Sequence, residues 1–356
     1  MNEEFLSALK EIVKEKNVSE DFLFKAIEDA LVSAYKKNYS KYTNNAQSVK
    51  VTINRETGEI HVYAQKKVVD GLWDEITEIE LEDAKEIDPR YEEDDIVEIE
   101  VTPREFGRVA AQNAKQVVVQ RVKEAEKEII YNEFLEKQYD IITGIILRKD
   151  KGNVFVNIGK METILGPNEQ IPLEEYTFNE RIKLYIVEVK KNSKGPQVVI
   201  SRTHPGLVKR LFELEVPEIF IGVVEIKNIS REAGSRSKVA VFSHDDNVDP
   251  MGACVGPKGV RVQNIVNELS NEKIDIIKWS NSPEEFISNA LSPAKVLGVE
   301  IVDEENKCAK VLVDDSQLSL AIGKEGQNVR LAARLTGWKI DIKSRIQAVK
   351  ETPVEA

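Results

Sequence analysis

The sequence predicts a multidomain chain that combines α/β and β folds, and three observations support this. A length of 356 residues leaves room for two to four domains of about 100–200 residues each. The hydrophobic pattern changes along the chain, from mixed helix and strand patterns to a series of short β segments. An internal duplication then occupies residues 206–345. We therefore expect an N-terminal α/β head with a long helix, a five-stranded barrel and two tandem α+β modules.

The composition restricts the class of protein. With 41% hydrophobic and 31% charged residues, every part of the chain can build a core. No stretch approaches the roughly 18–20 consecutive apolar residues that span a bilayer, and the acidic N-terminus does not resemble a secretory signal. Cys254 and Cys308 lie far apart and predict neither a disulfide framework nor a zinc site. We expect a cytoplasmic globular protein with no membrane segment.

The net charge of −12 is concentrated in one segment. Residues 74–100 hold fourteen acidic side chains against Lys85 and Arg90, so the rest of the chain is close to neutral. Phosphate contacts depend on local Lys and Arg. The overall charge therefore excludes a protein that coats nucleic acid without specificity, but not a domain that binds one strand. The acidic segment is typical of a solvated face; a docking surface for a basic protein is the alternative.

Two helices are predicted at the start of the head. Apolar residues at helical spacing predict the first helix over residues 2–16. The second begins after Ser19, which has the side chain of a helix N-cap, and ends near Lys36 and Lys37.

A hairpin and a long helix complete the head. Alternating apolar residues on both sides of a turn at residues 54–58 predict the hairpin. Ile96, Ile99 and Val101 indicate a further strand, and helical spacing from Glu105 to about Lys137 predicts a long helix. The first 137 residues are therefore interpreted as one α/β unit.

Five short strand patterns, separated by Gly- and Pro-rich turns, follow the head. They are predicted at residues 141–147, 153–158, 162–165, 181–189 and 197–200. Such strands suit a small closed barrel of the oligonucleotide/oligosaccharide-binding kind; half of a larger sandwich is the alternative. Phe155 lies between Val154 and Val156, so its ring points to the opposite face. On an open face it can stack on a base; a core phenylalanine is the alternative.

The internal duplication centres on two glycine pairs. Gly256-Pro257-Lys258-Gly259 and Gly323-Lys324-Glu325-Gly326 are 67 positions apart, and each precedes a Lys-Ile-Asp-Ile sequence. The pattern predicts helix, two strands, short helix, Gly-x-x-Gly, helix and strand in each copy. The first three elements are expected at 207–214, 219–226 and 238–242, and again at 284–291, 296–302 and 309–313. Repetition at a fixed period marks a repeated unit, whereas a single Gly-x-x-Gly indicates a helix-entry turn.

Each glycine pair combines features that suit a phosphodiester backbone. Two small residues allow close approach to the main chain, and the following helix N-terminus supplies free N–H groups and a positive dipole end. Bases then splay into an apolar groove. Positive side chains near the two loops are Lys258, Arg261, Lys324, Arg330 and Arg334. Because Glu325 opposes them, we expect the second loop to bind more weakly.

Further motifs are specific enough to indicate a family. They are residues 201–205, 212–219, 234–236, 249–256 and 326–332, with Phe106, Arg108, Gln112 and residues 114–117 in the head. Together they resemble the NusA family of bacterial transcription elongation, termination and antitermination factors, over nearly the whole chain. The resemblance implies a polymerase-binding head (1–137), an S1 barrel (138–202), two type II KH domains (203–280 and 281–345) and a flexible tail (346–356). The acidic C-terminal repeats of some members are expected to be absent.

The resemblance also implies partners and site residues. The head is expected to dock on RNA polymerase near the RNA exit channel, with Lys36, Lys37 and Arg108 facing polymerase and the exiting hairpin. The other domains are expected to hold single-stranded nascent RNA. The expected RNA-binding residues are Phe155, Arg202, Gly256, Pro257, Lys258, Gly259, Arg261, Gly323, Lys324, Gly326, Asn328, Arg330 and Arg334. We expect a monomer without metal or cofactor, with other antitermination factors as further partners.

Catalysis finds little support in the sequence. His61 and His204 have no visible nucleophile partner. Residues 245–249 have the alternating ligand spacing of a calcium loop, but Pro250 stands where that loop needs glycine and Gly256 where it needs glutamate. We therefore expect a protein that is not an enzyme. Two alternatives stay open: an RNA-degrading enzyme, since S1 and KH domains also accompany phosphorolytic nucleases, and an RNA-processing or ribosome-maturation factor.

Overall fold

The computed structural model describes residues 19–39, 48–104, 106–192 and 195–347. The helix expected over residues 2–16, and residues 348–356 of the expected tail, lie outside these ranges. The chain divides into two compact units, Met1–Asn132 and Glu133–Ala356. No helix in the described ranges is long and apolar enough to cross a membrane.

The described part of the first unit contains three helices and a four-stranded sheet. In chain order its elements are α1 (Glu20–Tyr39), β1 (Ser48–Ile53), β2 (Ile60–Val69), β3 (Glu78–Glu80), α2 (Leu81–Ile87), β4 (Ile96–Glu100) and α3 (Phe106–Glu136), whose last turn belongs to the second unit. β2 pairs with all three other strands, antiparallel to β1 and β4 and parallel to β3. The expected hairpin and long helix are both present.

Helices α1 and α3 pack with the β1–β2 hairpin. Acidic residues in the first turn of α1 and basic residues in its last turn complement the helix dipole. Its apolar face shares one core with the inward residues of the hairpin and of α3; the core includes Leu23, Phe24, Ile27, Leu31, Val51, Val62, Ala110 and Ala114. Tyr35 and Phe106 meet edge to face with ring centroids 5.6 Å apart. This contact brings the end of α1 next to the start of α3.

The acidic segment folds into β3, α2 and β4, of which the sequence patterns predicted β4 alone. A second small core lies here, formed by Val68, Ile79, Ala84 and Val97. Within β4, Val97 is buried whereas Ile96 is 59% exposed, so the pattern identified the strand but not its buried face. Most acidic side chains of the segment are exposed, as expected of a solvated face.

The second unit begins with a five-stranded antiparallel barrel. Its strands are β5 (Ile141–Asp150), β6 (Asn153–Asn157), β7 (Glu162–Leu165), β8 (Arg181–Asn192) and β9 (Gly195–Ser201), in the order β7-β6-β5-β8-β9. The two strands at the ends of this order approach each other, and Thr163 Oγ1 donates a 2.6 Å hydrogen bond to the carbonyl of Val198. The sheet thereby nearly closes into a barrel. All five predicted strands are confirmed.

Two modules follow the barrel, and their elements have the same order except that the first module contains one additional short helix, α5 (Pro217–Phe220). The first contains α4 (Pro205–Glu215), α5 (Pro217–Phe220), β10 (Val224–Glu232), β11 (Arg236–Ser243), α6 (Pro250–Val255), α7 (Val260–Glu268) and β12 (Lys273–Lys278). The second contains α8 (Pro283–Ala290), β13 (Val296–Asp303), β14 (Cys308–Val313), α9 (Asp315–Ile322), α10 (Gln327–Thr336) and β15 (Lys339–Ser344). In each module the middle strand is antiparallel to the first strand and parallel to the last.

One predicted boundary in the first module is wrong. The strand expected at residues 219–226 begins only at Val224. Pro217 starts the short helix α5, because its fixed φ suits a first helical position. Gly222 then takes a φ of +81°, a conformation that glycine adopts easily, and turns the chain into β10.

Buried contacts join the barrel and the two modules. Ile171 and Tyr185 of the barrel lie in one core with Leu207 and Leu211 of α4. Helices α8 and α10 of the second module cover the outer sheet face of the first module, defined as the face of β10–β12 that carries Lys238, Ala240 and Ile277. Ala240 and Ile277 share a core with the apolar residues of α8 and α10.

Candidate nucleic-acid interface

The two Gly-x-x-Gly loops have the same backbone conformation. Gly256 and Gly323 have φ/ψ of 71°/176° and 76°/173°. Gly259 and Gly326 have φ/ψ of 76°/14° and 74°/15°, in the left-handed region. Between them Lys258 and Glu325 both have φ of 53°. The sequence repeat is therefore also a repeat in backbone geometry.

The first and second glycine of each loop have different roles. A Cβ on Gly256 would lie 2.6 Å from Arg261 Cγ, and a Cβ on Gly323 would lie 2.8 Å from the backbone N of Asn328. The first glycine thus lets the loop pack on the helix that follows. A Cβ on Gly259 would meet nothing within 4 Å, and one on Gly326 would only touch Val329 at 4.0 Å. The second glycine is where bare backbone faces solvent.

The helices that follow the loops begin without side-chain caps. Gly259 is the N-cap residue of α7 and Gly326 that of α10, and no described side chain caps either N-terminus. The first N–H groups of a helix have no intrahelical partner, and together with the helix dipole they form an anion-binding position. Pro257, Lys258 and Lys324 lie beside these two helix starts, and all three are exposed.

Three arginines near the loops are engaged by acids. Arg261 Nη1 donates to Glu218 Oε2 at 3.0 Å and to the Ala253 carbonyl at 2.7 Å, which ties α7 to α5 and α6. Arg330 Nε lies 2.6 Å from Glu232 Oε1, and Arg334 Nη1 lies 3.8 Å from the same oxygen. Hydrogen bonding to Arg330 is the main cause that lowers the pKa of Glu232 below 4.5. One carboxylate of the first module therefore offsets the positive charge beside the second loop.

Asn328 was expected at the RNA surface, and the structure places it in the interior. It is 2% exposed, and its Nδ2 donates to the carbonyls of Leu291 at 2.9 Å and Ala321 at 3.1 Å. These bonds join α10 to the C-terminal ends of α8 and α9. Asn328 is thus a structural residue beneath the loop, although its motif position predicted an RNA contact.

Arg202 was also expected to contact RNA, and it is 1% exposed. Its guanidinium forms an ion pair with Glu174 of the barrel and donates to Glu268 Oε1 of α7 at 3.1 Å. It also donates to the carbonyls of Lys183 and Glu268, each at 2.8 Å. Burial opposes ionisation of Glu174, but hydrogen bonding and the charge of Arg202 outweigh it and lower the pKa of Glu174. Arg202 therefore joins the barrel to the first module.

Phe155 faces outward on the barrel, as its alternation with two buried valines predicted. Val154 and Val156 are fully buried, whereas Phe155 is half-buried. The guanidinium of Arg148 lies 4.0 Å from the ring centroid of Phe155, and Arg148 Nη2 pairs with Glu162 Oε1 at 2.7 Å. The arrangement is a flat stacking surface with a cation above it. Sequence reasoning missed Arg148, although the hairpin register pairs it with Phe155.

Lys36, Lys37 and Arg108, here called the head cations, lie in one region of the first unit. Lys36 and Lys37 are exposed in the last turn of α1, and Arg108 is exposed in the first turn of α3. The contact of Tyr35 with Phe106 places these two helix ends next to each other.

No residue group in the described ranges could hold a metal ion through three or more His, Cys, Asp or Glu side chains. Asp249, in the segment compared with a calcium loop, instead caps α6: its carboxylate accepts from the N–H groups of Met251 and Gly252 at 3.1 and 3.0 Å. His204 caps α4, its Nδ1 accepting from the N–H of Gly206 at 3.0 Å. Both residues have structural roles.

The barrel, the paired loops and their helix N-termini define a protein of the RNA-binding class built from one S1 and two KH domains. Four family profiles match the chain: NusA N-terminal domain (4–128), S1 RNA binding domain (137–201), NusA-like first KH domain (202–279) and NusA-like second KH domain (283–350). The chain belongs to the NusA family.

Similar proteins have the same name across several bacteria. The transcription termination/antitermination protein NusA of Bacillus subtilis is 58% identical over 348 residues, which cover 98% of this chain and 92% of that protein. The NusA protein of Halalkalibacterium halodurans is also 58% identical, and covers 98% and 90% respectively. That of Thermus thermophilus is 45% identical over 96% and 89%. A solution structure of the N-terminal domain of the B. subtilis protein matches 36% of this chain and 99% of its own, with 54% identity and a TM-score of 0.32.

Proposed function

We propose that this chain docks on RNA polymerase through its head and holds single-stranded nascent RNA through its S1 and KH domains, so that it modulates pausing, termination and antitermination. As a NusA family member with these domains, it is an RNA-binding factor of transcription termination and antitermination. It acts by binding and without catalysis, as a cytoplasmic monomer, and further antitermination factors are additional partners. The proposed domain boundaries are 137/138, 202/203, 280/281 and 345/346.

The matching conformation of the two Gly-x-x-Gly loops is the observation that carries the RNA-binding part of this proposal. Each loop offers bare backbone at its second glycine, an uncapped helix start and a solvent-accessible lysine. A phosphate group needs all three: space, N–H donors and positive charge. We place the RNA backbone at Gly259 and Gly326, and Lys258 and Lys324 beside it. Arg202 and Asn328 are left out because they are buried.

The stacking surface on the barrel supports a further contact along the same RNA. A base that stacks on Phe155 or on the Arg148 guanidinium gains about 1–3 kcal/mol without any sequence preference. Glu162 holds the guanidinium in place. We propose that this surface binds bases, whereas the two loops bind the backbone.

The RNA proposal is tested by charge reversal at the two loop lysines. Lys258→Asp combined with Lys324→Asp removes two positive charges and adds two negative ones beside the proposed phosphates. We expect the affinity of the full chain for single-stranded RNA to fall by about tenfold or more. The slope of log K against log salt should also become shallower by about 0.7 for each phosphate that the protein no longer neutralises. Fluorescence anisotropy at several salt concentrations measures both.

Lys307→Asp is the matched control for this experiment. Lys307 is an exposed lysine with a positive φ, of 49°, but it lies in the β13–β14 turn. We prefer these variants to aspartate at Gly256 and Gly323, because those two glycines pack against the following helix and their replacement disturbs the fold. RNA binding of the double variant equal to that of the Lys307→Asp control would exclude the loops as the site.

Polymerase docking is tested with the three head cations. We expect full-length chain with Lys36→Glu, Lys37→Glu and Arg108→Glu to lose most of its co-purification with RNA polymerase, while its affinity for isolated RNA stays unchanged. Lys85→Glu, an exposed lysine of α2 in the same unit, is the control and should behave as wild type. Retention of ribosomal particles instead of polymerase by the unaltered chain would favour the ribosome-maturation alternative.

A further inference from the structure

The two KH modules have equivalent polar residues on the outer faces of their sheets. In the first module Lys238 pairs in register with Asp275, and in the second Lys310 pairs in register with Asp341. By the same registers, Asp303 of the second module takes the position that Glu232 has in the first, and Leu312 takes the position of Ala240. Lys310, Leu312, Asp303 and Asp341 thus define an outer sheet face of the second module that matches the outer sheet face of the first.

The outer sheet face of the first module binds the ends of two helices of the second module. Lys238 is completely buried there, and its Nζ donates at 2.7 Å to the carbonyl of Ser292, just past the end of α8. Asn228 Nδ2 donates at 2.6 Å to the carbonyl of Leu335 near the end of α10. Glu232 accepts from Gln327 and pairs with Arg330. Two helices of the second module are therefore held by a lysine, an amide and an acid around an apolar centre.

The outer sheet face of the second module is accessible in the described chain. Lys310 and Leu312 are half-buried where their counterparts Lys238 and Ala240 are fully buried, and Asp341 is exposed. Val302, at the edge of this face, is 63% exposed. Two shallow pockets of about 380 and 260 Å³ lie along the face, and both are lined in part by Lys310. The lysine, the acids and one apolar position are repeated, whereas Gly298 takes the place of Asn228 and Lys343 that of Ile277. No described element covers this face as α8 and α10 cover the first.

From this repetition we propose that the outer sheet face of the second module is a docking surface for a helical protein partner. The partner presents the C-terminal carbonyls of a helix to Lys310, an apolar helix face to Leu312 and a basic side chain to Asp303, as α8 and α10 do on the first module.

The chemistry of the face distinguishes this partner from other occupants. Glu300, Asp303 and Asp341 lie along it and balance the charges of Lys310, Lys339 and Lys343. The face therefore has no excess of positive charge to hold a phosphate backbone, which argues against RNA. In a second copy of this chain the matching helix surface, on α8 and α10, is already buried on its own first module. The inference does not depend on the proposed RNA or polymerase contacts, so each can fail without the other.

The rate at which the Cys308 thiol is labelled measures whether this face is covered. Cys308 lies two residues before Lys310 on the same side of β14 and is a free, partly exposed thiol. The other cysteine, Cys254, is buried, and burial raises its thiol pKa to about 12. A maleimide therefore modifies Cys308 first, and its rate measures access to the outer sheet face of the second module.

The experiment uses the full chain and, as probe, a helix-stapled peptide with the sequence of residues 282–294, the segment that the first module accepts. At saturating peptide we expect labelling of Cys308 to slow about tenfold, because the thiol then reacts only from the minor unbound fraction. Lys310→Glu should abolish this protection, since an acid repels helix C-terminal carbonyls. Lys295→Glu, at an exposed lysine of the same module, should keep it.

A second probe keeps the test decisive if the peptide is a poor mimic. A chain extended at its C-terminus by a further copy of residues 281–347, with Cys308→Ser in the added copy, should also protect the original Cys308. Absence of protection by both probes overturns the proposal. Three other results would also overturn it. Protection by single-stranded RNA would identify RNA as the occupant, and protection that rises with the concentration of the chain alone would identify a second copy. Faster labelling after removal of residues 348–356 would identify the chain's own tail.

Discussion

At the scale of single residues, several polar side chains of the second unit hold the fold together. His204 illustrates this: its ring stacks on Tyr185 with centroids 4.7 Å apart, and its Nδ1 accepts the N–H of Gly206 at the start of α4. Only an unprotonated Nδ1 can accept this bond. Burial of the ring is the main cause that lowers the pKa of His204 below 6.5.

The lowered pKa of His204 predicts a pH-dependent stability. Because the folded-state pKa is below the unfolded value, the contribution is fully present above pH 6.5 and is lost as pH falls from there through the folded-state pKa. His204→Asn keeps a capping oxygen but does not titrate. Urea unfolding at about pH 8 and about pH 5 should show wild type losing stability relative to this variant at the lower pH.

His61 and His244, which pair with Glu100 and Glu225, are the same in both proteins, so the comparison isolates the effect of His204. A difference between wild type and variant that is the same at both pH values would mean that the cap tolerates a protonated imidazole.

At the scale of elements, the two glycines of each Gly-x-x-Gly loop differ: the first packs against the following helix and the second faces open space. Gly256 has φ/ψ of 71°/176°, a region open almost solely to glycine, and a Cβ there would meet Arg261, which Glu218 and the Ala253 carbonyl hold in place. Gly259 has left-handed helical geometry and open space around it. The two glycines should therefore respond differently to the same substitution.

We predict that Gly259→Ala costs about 1–2 kcal/mol of stability, the strain of a left-handed residue, and that Gly256→Ala costs at least about 1 kcal/mol more because strain and close contact combine. Urea unfolding of the two full-length variants measures this. Gly259→Ala should instead have the larger effect on RNA affinity relative to its effect on stability. Equal destabilisation by both substitutions would contradict the assignment of roles.

At the scale of the whole molecule, buried ion pairs join domains within the second unit. Arg202 links Glu174 of the barrel to Glu268 of the first module, and its side chain is 2% exposed. Removing one member of such a buried group leaves the other charges without compensation, which costs far more than the loss of an exposed pair. Arg148 and Glu162 form an exposed pair on the same barrel.

Arg202→Ala should accordingly destabilise the second unit by about 3–5 kcal/mol, whereas Arg148→Ala should cost about 0–1 kcal/mol. Hydrogen exchange of the full chain should also show that β8, β9 and α7 lose protection together in Arg202→Ala. Destabilisation of the same size in both variants would argue that Arg202 does not join the two domains. The Arg148 variant should lose RNA affinity instead, because it removes part of the stacking surface.

The fold was largely predictable because its signals are local. The five barrel strands, the long helix and the repeated order of elements all follow from hydrophobic spacing and from Gly and Pro at the turns. Predictions failed where apolar residues were sparse or a turn was hidden. β3 and α2 lie in a segment dominated by acids, and the start of β10 was misplaced because α5 and Gly222 intervene.

By itself, the sequence determined the domain series, the two equivalent loops and the family, since these depend on residues close together along the chain. Tertiary structure alone decided which motif residues face solvent. Arg202 and Asn328 carry the donors that suit RNA, yet folding places them against carboxylates and carbonyls, most of them from distant segments. Arg330 and Arg334 meet Glu232 of another module for the same reason. Such pairings depend on how modules stack, and spacing along one chain does not encode that.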